Sequence, residues 1–264
     1  MYYKLTEEKI EINGIVLFRI EATEDLPLHG VKTGDMGGFI QKTNNLSGNA
    51  WVYGNAKVCG DACVSGNAEV YGDAKVSGNA CVYGNADVYG NAKVSGNAEV
   101  YDNAKVSGNA DVYGDAWVYG KAEVCGNAWV YGNAKVSGNA EVYGDACVYG
   151  NADVYGDAKV SGNACVYSDA EVYGNAEVCG DAKVCGNAEV CGDAKVCGNA
   201  DYIVFKNWWS SGRYFTWTRS NNMWRVCCFY GIGEELIKKA YADSKKSGKE
   251  YERIVKYVNE IINQ

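Results

Sequence analysis

"GNAWVYGNAKVCGDACVSGNAEVYGDAKVSGNA", Gly48 to Ala80, repeats one six-residue phrase: Val, then Tyr, Ser or Cys, Gly, Asn or Asp, Ala, and a variable residue. From Val52 to Val196 every sixth residue is Val, 25 without exception, and from Ala50 to Ala200 every sixth is Ala. No insertion breaks the register. On an extended strand, Ala and Val of Ala-x-Val face one way, while x and the residue after Val face the other. Gly-Asn or Gly-Asp then turns the chain, because these residues best tolerate left-handed backbone angles. Each hexad is therefore one short strand and one corner. A single hexad cannot bury its own Val, so the hexads must wind into coils whose inner Val and Ala stack on those of the next.

The corner carboxylates set the size of a coil. They are Asp61, Asp73, Asp115, Asp145, Asp157, Asp169, Asp181 and Asp193. In a coil of 18 residues none lies over another, whereas a coil of 12 or 24 would put Asp145 on Asp157 or on Asp169. Like charges about 4.8 Å apart repel, and Asn ladders attract. Lys57, Lys75 and Lys93 do stack in the 18-residue coil, as do Glu123 and Glu141, but long solvated side chains splay apart. The spacing predicts three hexads per coil, with Val82 between Val64 and Val100. Residues 46 to 201 make 26 hexads, or about 8 to 9 coils and a rod of roughly 40 Å.

The phrase "VYGNAK" resembles the motif of the hexapeptide-repeat left-handed β-helix family. Left-handedness is what the resemblance implies, since ordinary parallel crossovers are right-handed. More narrowly, "LFRIEA" followed by "KTGDMGGFIQ" and the hexads is similar to uncharacterised bacterial and phage hexapeptide-repeat proteins, some labelled transferases on fold similarity alone. In acyltransferases of the family the resemblance implies a catalytic His in the coils, an acyl donor between subunits and an extruded loop. Here the only His is His29, ahead of the coils, and residues 46 to 201 hold no loop and no Arg for cofactor phosphates. His29 reads as an ordinary surface or cap residue. A hexapeptide-type acyltransferase is the alternative reading, and no catalytic residue and no cofactor are expected.

Both flanks speak a different language. Residues 8 to 21, "EKIEINGIVLFRIE", read as a hairpin around Asn13-Gly14, and the glycines of "GDMGGFI" as tight turns leading into the coils. Residues 1–45 are expected to cap the solenoid of 46–201, because an open first coil would expose strand edges. In 202–264, "YIVFKN", "RYFTWTRS" and "MWRVCCFY" read as three strands, and "GEELIKKAYADS" and "KEYERIVKYVNEII" as two amphipathic helices. The fold class is thus mainly β: a parallel β-helix with an N-terminal hairpin cap and a small C-terminal α+β interaction domain.

Charge divides along the same lines. Residues 1–46 carry 5 basic and 7 acidic side chains, 47–201 carry 9 and 20, and 202–264 carry 11 and 6. The rod's net of -11 is dilute beside duplex DNA of that length, which presents about 24 charges, so DNA mimicry is not favoured. No window approaches the roughly 18 apolar residues of a membrane span, and the start "MYYKLTEEKI" is polar. A cytoplasmic protein that engages no membrane is expected. Ten of the 12 Cys sit at interchangeable repeat positions. They read as free, inert thiols, although Cys63 with Cys81, Cys147 with Cys165, and Cys179 with Cys197 would stack. A spacing of six matches no zinc motif, and Cys227-Cys228 falls in an expected strand, so no metal is expected.

The remaining surface signal is aromatic. Tyr53, Tyr71 and Tyr89 form one ladder, Tyr83, Tyr101 and Tyr119 a second, and Tyr113, Tyr131, Tyr149 and Tyr167 a third. Stacked rings stabilise parallel coils, and a contiguous strip also suits protein docking or self-association. In the C-terminal segment Trp208, Trp209, Trp217 and Trp224 accompany Arg213, Arg219 and Arg225, and alternation puts Arg213, Phe215, Trp217 and Arg219 on one face. The sequence therefore predicts a non-enzymatic binding or scaffold protein that takes a protein partner. The phage-type resemblance implies a host factor, such as a defence component. Nucleic acid stays open for the C-terminal segment alone, where aromatic and cationic side chains could stack single strands.

Overall fold

The structure, a computed structural model, describes residues 1–262; the last two residues of the 202–264 segment lie outside the described residues. Strands β1 (Tyr3–Ile12), β2 (Ile15–Ala22) and β3 (Met36–Ile40) precede 25 two-residue strands, β4 (Trp51–Val52) to β28 (Lys195–Val196). Strands β29 (Tyr202–Lys206), β30 (Tyr214–Thr218), β31 (Met223–Val226) and β32 (Phe229–Gly231) follow, then α1 (Gly233–Asp243) and α2 (Lys245–Ile262).

Every strand of the solenoid pairs in parallel with the one three hexads away. Val82 lies opposite both Val64 and Val100, as the 18-residue coil requires. Every repeat Val from Val52 to Val196 and every repeat Ala from Ala50 to Ala194 is buried, so three sheets enclose one continuous aliphatic core; Ala200, past the last coil, is exposed. Within the stack a hexad typically spends three backbone N–H groups on the following coil, as Lys93 to Ala110, Ser95 to Val112 and Asn97 to Gly114, at 2.7–2.9 Å. Corner amides form the expected ladders, with Asn109 Nδ2 donating to Asn127 Oδ1 at 3.0 Å and Asn127 Nδ2 to Asp145 Oδ1 at 2.8 Å. The stacked Glu123 and Glu141 are bracketed by opposite charge, Lys105 at 3.6 Å from Glu123 and Lys159 at 3.4 Å from Glu141.

The corners demand glycine for two reasons at once. Gly78 has φ +72°, and a Cβ there would meet the carbonyl oxygen of Gly96 at 2.9 Å. Asp102 and Ser168 take the same left-handed angles, φ 61° and 65°, at the corners that depart from the phrase.

The N-terminal hairpin turns at Asn13 and Gly14, both with positive φ. β3 then pairs in parallel with β5 (Lys57–Val58), so the cap continues one face of the solenoid. One expectation is corrected here. Gly37 and Gly38 lie within β3, where a Cβ would press on Ile20 and Val52 at 2.5–2.6 Å; close approach rather than a tight turn requires them. Cap residues also donate to the first coil's open carbonyls. The Tyr2 hydroxyl binds Ala50 O at 2.7 Å, Phe39 N binds Ala56 O at 2.9 Å, and Asn45 Nδ2 binds Ala62 O at 2.7 Å.

At the other end the polarity reverses, because a parallel stack leaves N–H groups free on its last coil. Acceptors arrive from downstream residues. Asn199 Oδ1 takes Lys183 N, Thr216 Oγ1 takes Glu189 N, Ser220 Oγ takes Lys195 N, and Asp201 Oδ2 takes Cys197 N, at 2.6–2.9 Å. Four strands, not three, form the C-terminal sheet. The stretch "MWRVCCFY" breaks at Cys227, φ 54°, so Cys227 and Cys228 sit exposed in a turn instead of alternating along a strand.

Candidate functional site

In β30 the expected alternation holds, but it runs between two buried faces. Phe215 and Trp217, each 1% exposed, turn toward the helices and pack with Trp209, Trp224, Tyr251, Val255 and Val258. Thr216 and Thr218, also buried, turn the other way, and Thr216 meets the last coil. Trp209, Phe215, Trp217 and Trp224 are therefore core residues and present no docking surface. Trp217 Nε1 is satisfied by Asn222 Oδ1 at 2.9 Å. Arg225 is committed as well: its Nε lies 2.9 Å from Glu189 Oε2, and its guanidinium lies over the Tyr173 ring at 5.6 Å. It fastens the sheet to the rod.

Arg213 and Arg219 flank β30 at opposite ends and do not form one patch. What remains open to solvent is the tip of the β29–β30 hairpin. Trp208 is 73% exposed and Tyr214 38%. Lys206 Nζ lies 5.3 Å from the Tyr214 ring centroid, and Arg213 is exposed beside it. Backbone bonds from Asn207 N to Arg213 O (2.7 Å) and Gly212 N to Asn207 O (2.8 Å) hold the loop. Sequence reasoning missed Lys206 and Tyr214; their pairing across the hairpin was readable only with its register in hand. Two cations around two exposed aromatics can engage an acidic surface.

The tyrosine ladders form as expected. Tyr113, Tyr131, Tyr149 and Tyr167 are half-buried and stack at centroid separations of 4.9–5.0 Å with nearly parallel planes. Tyr155 and Tyr173 add a further stacked pair at 4.8 Å. In the first ladder Tyr53 meets Tyr71 edge-on at 87°, because the cap crowds it. Elsewhere a tyrosine donates to a carboxylate sixteen residues on, as Tyr83 to Glu99 at 2.8 Å, and burial together with that bond raises its pKa. These rings brace neighbouring coils.

His29 belongs to the cap but is not a surface residue. Its side chain is buried, Nδ1 lies 2.6 Å from Glu69 Oε1, and the Tyr53 hydroxyl donates to the same oxygen at 3.1 Å. His29 Nε2 is buried without a partner among the described residues.

Several of the repeat thiols are quiet. Burial and the neighbouring Cys81 sulfur, 2.8 Å away, push Cys63 up to about 12, and burial with Cys165 pushes Cys147 up to about 11. Cys179 and Cys197 are joined as a disulfide, which corrects the expectation of free thiols at that stacked pair. Among the described residues no three His, Cys, Asp or Glu side chains converge as metal ligands, and no helix is long and apolar enough to cross a membrane.

No protein-family model matches the chain, and no curated protein matches it.

Proposed function

We propose that the chain is a non-enzymatic β-solenoid scaffold that holds a C-terminal recognition module at a fixed distance from its N-terminal cap. The observation that carries this reading is the uninterrupted stack from Trp51 to Val196, closed at both ends by side chains matched to the polarity of the coil. No corner is widened into a loop between those limits, and the shallow recess on the rod at Asn127, Trp129, Asp145 and Cys147 holds no histidine to serve as a base. A general base must reach the proton that it removes. His29 Nε2 is buried, which argues against the acyltransferase alternative.

The partner is a protein with an acidic patch, held at Lys206, Trp208, Arg213 and Tyr214. Support comes from the exposure of that tip and from the basic excess of residues 202–264. The resemblance to phage proteins favours a host factor, such as a defence component, in the cytoplasm. Self-association through the Tyr113–Tyr167 ladder is the second reading, favoured by the regular ring spacing.

Affinity capture from a bacterial host lysate tests both, using the full chain, a Trp208→Ala/Arg213→Gln variant and a variant with Ser at the four ladder tyrosines. The tip variant is expected to lose a specifically captured protein and the ladder variant to keep it. Retention by the tip variant refutes the assignment. Saturable acetyl transfer from acetyl-CoA that is lost in His29→Ala refutes the non-enzymatic reading.

A further inference from the structure

A cavity of about 470 Å³ opens in the C-terminal unit between the 207–213 loop, the turn after β31 and the two helices. That volume is in the range of small-molecule sites. α1 contributes Leu236, Lys239, Ala240 and Asp243, a single helical face by their spacing. The polar groups that line it are of two kinds.

Some accept hydrogen bonds. Asn207 is buried there, and its Nδ2 donates to the Tyr251 hydroxyl at 3.2 Å while its Oδ1 has no partner among the described residues. Burial raises the Tyr251 phenol, and the Asp243 carboxylate lies close enough to add to that rise. Asn207, Tyr251 and Asp243 all line the cavity. A buried acceptor left unpaired is destabilising until a donor arrives.

The others are cationic. Arg213 Nη1 donates to Cys227 Sγ at 2.8 Å, and Lys239 Nζ lies 5.7 Å from the Phe229 ring centroid. Cys227 opens the turn after β31 and Phe229 starts β32, so the two cations contact residues on either side of Cys228, and both line the cavity. Among the described residues no ion pair ties either cation to Asp243. Val226, Leu236 and Ala240 add an apolar wall.

We propose that this cavity binds the zwitterion of a free amino acid with an apolar side chain. Its ammonium meets Asn207 Oδ1 and Asp243, its carboxylate meets Arg213 and Lys239, and its side chain lies on the apolar wall. A purely anionic ligand would face Asp243, and a purely cationic one would face Arg213 and Lys239. The inference stands apart from the protein-partner reading, although Arg213 borders both sites.

Calorimetric titration of the full chain with L-leucine, 4-methylpentanoate and 3-methylbutylamine is the test; each analogue keeps the side chain and one charge. Leucine is expected to bind saturably, with each analogue weaker by roughly tenfold or more, the loss of one charge-assisted contact set. Arg213→Gln should weaken leucine by about the same factor and leave 3-methylbutylamine unchanged. Asp243→Asn should weaken leucine and 3-methylbutylamine and leave 4-methylpentanoate unchanged. Asp243 and Arg213 are exposed, so neither substitution threatens the fold. Absence of saturable leucine binding, or an analogue that binds as well as leucine, overturns the proposal.

Discussion

Thr216 Oγ1 accepts the backbone N–H of Glu189 at 2.9 Å, across 27 residues of sequence. The bond replaces the strand that a further coil would have supplied. Most N–H groups of a coil point forward to carbonyls of the next, so the C-terminal cap brings acceptors such as Thr216 and the N-terminal cap donors such as Tyr2 and Asn45, while Tyr202 donates to Lys183 O and Gln41 accepts Gly60 N.

Removing these acceptors should therefore open the stack from its C-terminal end. Thr216→Val with Ser220→Ala leaves the N–H groups of Glu189 and Lys195 unpaired, at a cost of about 1–3 kcal/mol at the part-buried Glu189 and less at Lys195, whose N–H can turn to water. Hydrogen exchange should speed up at Glu189 and Lys195 before it does at Val100. Uniform acceleration along the rod would contradict local fraying.

Gly78→Ala is expected to destabilise by about 1–3 kcal/mol, through the left-handed angle and the Gly96 carbonyl in its path. Asp102→Gly at an equivalent corner should leave stability equal or higher, since it relieves φ 61°. Urea midpoints of the two variants check the pair.

Burial holds the Asp153 carboxyl above its usual range, with Lys135 opposing. The folded state then binds this proton more tightly than the unfolded chain does, so the group favours folding at low pH, and its contribution is lost as pH rises through the raised folded pKa. Asp153→Asn should consequently stabilise the protein near neutrality and lose that advantage below the usual Asp range. The side chain is only partly buried, which limits the gain to about a few tenths of a kcal/mol. Urea midpoints at acid and neutral pH would show it; a gain that is larger in acid has the wrong sign.

Thiol chemistry should separate the cysteines by position. Cys227 and Cys228 are exposed, whereas burial raises Cys59, Cys63, Cys125, Cys147 and Cys191. Iodoacetamide at neutral pH should label the first two in the native protein and those five only after unfolding. Early labelling of Cys63 or Cys147 by mass spectrometry would contradict the quiet-thiol account.

The rod was legible because its rules are local and repeated. Val82 could be placed between Val64 and Val100 from the Asp corners alone, since a wrong coil length stacks carboxylates. The ends were less legible. Nothing in "RYFTWTRS" says that both faces of the strand are covered, so alternation paired Phe215 with Trp217 correctly but could not say that their face points inward. Thr216 and Ser220 carry no motif; their role exists only once the last coil's unpaired N–H groups are seen. Gly37 and Gly38 read as turn residues for the same reason, because close packing against Ile20 and Val52 has no sequence signature.

The central claim is that the repeat is a rigid spacer between two different ends. Spin labels introduced through noncanonical residues at exposed Leu28 in the cap and Tyr257 in α2, read by pulsed electron-electron resonance, test it most directly. The account predicts one narrow distance distribution centred at or beyond roughly 40 Å, the length of the stacked coils, and unchanged by salt. A broad distribution, or a second population at short distance, would contradict it.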